Sequence, residues 1–219
     1  MTPTLLAPSI ATQRLYRVAF ALSLFTIGYN VLEGLLSVYF GWEDGTLALF
    51  GFGVDSFIEV ISGLGIAHMV LRVQRHPQSN RDPFERTALR ITGYSFYVLT
   101  AGLLVSAAVN AWTHHRPATT WVGVVVALVS IAVMSVLVVA KQRVGRQLSS
   151  PSILADANCT KVCVYMSVVL LVASGLYELT GWPYFDVLGT VGLAYFAFSE
   201  GREAVENAKS DKLCGCCHE

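Results

Sequence analysis

Charge is scarce in this chain of 219 residues: only 14% are Asp, Glu, Lys or Arg. A soluble domain usually carries about a quarter. The 15 basic and 15 acidic residues cancel, so no global basic field exists to draw in nucleic acid. Cysteine is sparse and odd in number, five in all. Two lie inside an apolar run and the rest close the chain, which is not the pattern of an extracellular disulfide framework. No basic residue precedes Arg14, and the apolar run after it is long enough to stay in a membrane. A cleavable signal peptide is therefore not expected. The zinc-protease motif H-E-x-x-H and the nucleophile elbow G-x-S-x-G are both missing, which speaks against those hydrolases. A Gly-rich signature around a second Asp, as intramembrane aspartic proteolysis would need, is also missing. There is no low-complexity segment, no internal repeat and no stretch long enough for a separate soluble domain.

Apolar residues are what the chain has in plenty. They make up 54% of it, and mean hydropathy is +0.55. They fall in six runs, over 16–40, 46–72, 88–111, 120–141, 152–178 and 183–204. A helix crossing the ~30 Å hydrocarbon core needs about 20 mostly apolar residues. Helices are the form such runs take, because a lipid-exposed backbone must satisfy its own hydrogen bonds. Trp42, Trp112, Trp121 and Trp182 sit near run ends, as an interfacial aromatic belt would place them. Ser149-Ser150-Pro151 suits the start of the fifth helix, with Pro near the first helical position.

The basic residues sort by side. All but Arg116 and Lys161 lie before the first run, around the second connection, after the fourth run or after the sixth. The positive-inside rule then places both termini in the cytoplasm. The expected fold is an all-α integral membrane protein of six transmembrane helices. Residues 1–15 form a cytoplasmic N-terminal segment, 16–205 the six-helix domain, and 206–219 a short Cys/His-rich cytoplasmic tail.

Acidic residues inside such spans are costly and usually functional. The second span carries Asp55 and Glu59, four positions apart and so on one helix face. Two carboxylates that close repel when both are ionised, so one must hold a proton or both must share a cation. The fifth span carries Asp156, Cys159 and Cys163 at spacings of three and four, again along one face. Carboxylates and thiolates together can hold a tetrahedral divalent ion, and thiolates tilt the preference toward softer ions such as zinc or cadmium. The plainer alternatives are a structural hydrogen-bonding Asp and cysteines that merely pack.

These residues resemble the cation diffusion facilitator family of metal/proton antiporters. The second span reads T-L-A-L-F-G-F-G-V-D-S-F-I-E, ending on Asp55 and Glu59. The fifth reads A-D-A-N-C-T-K-V-C, with Cys159 and Cys163 where the family commonly has His and Asp. Asn30 in the first span, and Asp186 and E-G-R-E-A-V in the sixth, add to the likeness, which runs from about 14 to 208. The resemblance implies export of a divalent heavy metal, zinc foremost, in exchange for protons. Cadmium, cobalt, nickel, iron and manganese stay open. It implies one metal site made by Asp55, Glu59, Cys159 and Cys163, with Asn30, Asp156 and Lys161 beside it or on the approach to it, and no resident cofactor or catalytic residue. Two departures from that pattern stand out: both fifth-helix ligands are cysteines and one second-helix ligand is Glu, and the family's usual soluble domain is not expected here. Any homodimer would then rest on helix packing, which small residues such as Gly102 and Ser106 would permit. The plasma (inner) membrane is the expected location. The alternative is a metal-binding or scaffold membrane protein of the same fold that does not transport.

Three further features are less specific. Lys161 would repel a metal if it faced the site, but two positions from Cys159 it points to the other side of the helix. Cys214, Cys216, Cys217 and His218 in the tail make a short tract of soft-metal type. His76, His114 and His115 read as solvated loop residues.

Overall fold

The computed structural model describes residues 10–75, 83–113, 118, 120–149 and 151–209. Six helices account for nearly all of them: α1 (Ile10–Glu43), α2 (Leu47–Arg75), α3 (Pro83–Thr113), α4 (Trp121–Gln147), α5 (Pro151–Thr180) and α6 (Tyr184–Lys209). No strand occurs among the described residues. α5 opens on Pro151, whose missing N–H would have been unpaired there anyway. α6 runs on to Lys209, past the expected end of the helical domain at residue 205.

Five helices contain stretches long and apolar enough to cross a bilayer: Gln13–Glu43, Leu47–Arg72, Arg90–Trp112, Trp121–Gln147 and Asp156–Thr180. α6 is not among them. It has 26 residues, enough for a crossing at ~1.5 Å each, but Asp186, Glu200, Arg202, Glu203 and Glu206 dilute its apolar content.

Burial runs opposite to that of a soluble protein. Val98, Val136 and Leu179 are 74%, 69% and 84% exposed, while Asn30, Glu33, Asp55, Lys141 and Asp186 are buried. Water would penalise so large an apolar surface; lipid accepts it, and the polar groups then face the bundle interior.

Consecutive helices run antiparallel, so Arg14, Arg17, Arg72, Arg90, Arg143, Arg146 and Lys209 gather at one end of the bundle. α1 lies along α2, α4 along α5, and α3 along α6. The last pair approaches closely where Gly93 meets Gly201. A Cβ on either would come within 3.0–3.1 Å of the other's carbonyl oxygen. Gly102, by contrast, has nothing within 4 Å of such a Cβ, so it serves no close approach inside the chain.

The end opposite the basic one is tied by two acids. The Asp186 carboxylate accepts from the Leu47 and Ala48 amides at 3.1 and 3.2 Å, donors that open α2 and have no partner within their own helix. The Glu178 carboxylate accepts from the Thr120 amide and hydroxyl just before α4.

Candidate cation site

The site begins where α1 crosses α2. Asn30 Nδ2 donates to Glu59 Oε2 at 2.9 Å. One turn further from the basic end, Ser56 Oγ donates to Glu33 Oε2 at 3.1 Å and Tyr29 OH to Glu33 Oε1 at 2.9 Å. α5 closes the other side, with Cys163 Sγ donating to Glu59 Oε1. The two oxygens of Glu59 are thus divided between α1 and α5, as a side chain in the middle of the bundle should be.

Asp55 lies one turn from Glu59 on the same face and is 2% exposed. Its Oδ1 is buried with no hydrogen-bond partner among the described residues, and Asn30 Oδ1 is in the same condition. The charges of Glu59, Glu200 and Glu33 all bear on Asp55. A desolvated oxygen without a donor costs about 1–3 kcal/mol, so a cation would be welcome at either atom and a proton at the Asp55 carboxylate.

The expected ligands spread along the axis. Glu59 and Cys163 touch; Asp55 lies one turn outward, and half-buried Cys159 one turn toward the basic end. Neither cysteine is in a disulfide. Among the described residues no three His, Cys, Asp or Glu side chains converge into a ready chelate. Cys163 is held further by its neighbours: its carbonyl lies 2.7 Å from Ser167 Oγ, which is 2.9 Å from Ser130 Oγ on α4.

Asp156 does not join this group. Its Oδ2 is 2.9 Å from Lys141 Nζ on α4, and the same ammonium donates to Thr160 Oγ1 at 2.9 Å. Lys141 is 2% exposed. The charge pattern counts it among the basic residues at the end of the fourth span. In the structure it is interior, because it continues the buried stripe of Ala127, Ser130, Met134, Leu137 and Val144. Lys161 is exposed and points away from the site, as its position two residues from Cys159 predicts. The tail residues Cys214, Cys216, Cys217 and His218, and His76, His114 and His115, lie outside the described residues.

Glu33 escaped the reading of the sequence. Its signal was present: an acid inside the first apolar run, three residues after Asn30 and so on its face. Glu200 is a weaker case, since it falls near the charged end of α6.

The chain belongs to the cation efflux family: the family's sequence profile, described as the cation efflux transmembrane domain, matches residues 19–211. It is a multi-pass membrane protein of a transporter family. Among its relatives is the cation-efflux pump FieF of Citrobacter koseri, 24% identical over 187 residues, which cover 79% of this chain and 60% of the relative. Another is the uncharacterized transporter sll1263 of Synechocystis sp., 23% identical over 178 residues, or 77% and 57% of the two chains. The chain therefore spans about three fifths of the length of these relatives.

Proposed function

We propose that this protein exports a divalent heavy-metal cation, zinc foremost, in exchange for protons, through a site between α2 and α5. The observation that carries the reading is the meeting of Glu59 with Cys163 across those helices, with the unpartnered Asp55 Oδ1 on the next turn. A divalent ion would draw in Asp55 and Cys159 from either side of that contact. Ionised together, the four groups would be too costly to leave empty in a low-dielectric interior, so protons would take the ion's place. Ligands must lose protons to bind metal, and this couples the two fluxes.

In this reading all six helices cross the plasma (inner) membrane, and the basic end with both termini faces the cytoplasm. α6 crosses with its acidic residues turned inward or at the ends. Cytoplasmic metal would then approach past Asp156 and Cys159.

The thiols set the choice of metal. Transport by the purified chain in liposomes, run against zinc, cadmium, cobalt, nickel, iron and manganese, tests this. Cys163→Ser should lower the preference for zinc over manganese by about tenfold, as a soft donor gives way to a hard one. An unchanged zinc-to-manganese ratio would remove Cys163 from the site.

A further inference from the structure

We propose that Lys141 is a tethered counter-cation that occupies Asp156 at the approach to the site, and that a metal ion coming from the basic end must displace it. The inference rests on the transporter reading above. An ammonium 2% exposed inside a membrane helix bundle is a costly feature. It is held at two points on α5, 2.9 Å from Asp156 Oδ2 and 2.9 Å from Thr160 Oγ1. Thr160 is itself fixed, donating to the Asp156 carbonyl at 2.9 Å. Asp156 stands one turn nearer the basic end than Cys159 and two turns nearer than Cys163. Its side chain keeps 14% exposure, so it is the less sealed of the two partners. The positive charge of Lys141 also reaches Glu59.

These positions give the ammonium two effects on an arriving divalent ion. It masks the first carboxylate on the path, and it opposes a second cation beside Glu59. It also offsets part of the negative charge of Glu33, Asp55 and Glu59 when no metal is bound. Lys141 is thus a positioning residue acting through Asp156: it keeps affinity low enough for release. Lys161, the other lysine of this region, faces outward and has no such role.

Zinc flux into liposomes by the full chain separates this from a simple α4–α5 clamp. K141Q unmasks Asp156, and the zinc KM should fall at least about fivefold while the maximal rate also falls. K141Q/D156N removes both charges and should return KM to within about twofold of wild type. D156N leaves the ammonium without its carboxylate and should raise KM at least about fivefold. A clamp would change the amount of folded protein and leave KM alone. Unchanged KM in folded K141Q or D156N, or failure of all three variants to fold, overturns the proposal. A wild-type chain that moves no zinc would instead overturn the transporter reading.

Discussion

Glu33 accepts from Tyr29 and Ser56, and its charge bears on both Asp55 and Glu59. It lies level with Ser56 and so beside Asp55, on the side away from the basic end. If it were only a hydrogen-bond acceptor, Gln of equal size would replace it at little cost. If instead its charge helps to hold the cation, a neutral residue cannot stand in for it. Glu33→Gln should leave the chain folded and lower the maximal zinc rate on the order of tenfold, one ~1.4 kcal/mol interaction. Flux and thermal unfolding in detergent, measured on the same preparation, check it.

The site was partly legible residue by residue. Asp55 and Glu59 announce themselves, because acids within apolar runs are rare and helical spacing shows that they share a face; Cys163 stands out only through the family resemblance. Glu33 obeyed the same rule and needed only that the rule be applied to the first run. Lys141 was harder to find. A lysine near the basic end of a helix snorkels as readily as it buries, and only the register of α4 against α5 decides between the two. That register depends on packing between helices, which no single helix encodes.

At the scale of elements, the helices are fastened at their ends by side chains from other helices. Asp186 on α6 serves the first amides of α2. Removing it leaves buried N–H groups without an acceptor. Asp186→Ala should cost about 2 kcal/mol, roughly 4–8 °C in the unfolding midpoint for a chain of this size. A midpoint within a degree of wild type would show that the cap contributes nothing.

The α1–α2 turn carries the opposite sign. Burial, then the neighbouring Glu43 and Glu178 carboxylates, raises the Asp44 carboxyl above its usual range. A carboxyl raised on folding favours the protonated form, so its ionisation destabilises the fold once pH exceeds the raised value. Below the ordinary Asp value of about 3.9 both states are protonated and the effect vanishes. Asp44→Asn should therefore raise the unfolding midpoint at pH 7.5 and leave it unchanged at pH 3.5. A gain equal at both pH values would exclude the charge as its cause.

For the whole molecule, lipid inverts the usual rule, with apolar side chains outside and charge within. Length and apolarity were enough to expect six helices, and the six are there. The sixth is the one that composition describes least well. Asp186 ties α2 at one end, and Glu200, Arg202, Glu203 and Glu206 toward the other dilute its apolar content. The spread of Asp55, Glu59, Cys163 and Cys159 along two turns suits a passage for an ion as well as a single point of binding.

Whether Asp55 carries proton-coupled metal export is decided by zinc uptake into liposomes under an inward-directed metal gradient and an opposing pH gradient, compared between wild type and Asp55→Asn. The wild type should show proton-coupled flux, and Asp55→Asn, still folded and inserted, a loss of at least about a hundredfold. Asp55→Asn flux equal to wild type would contradict that role.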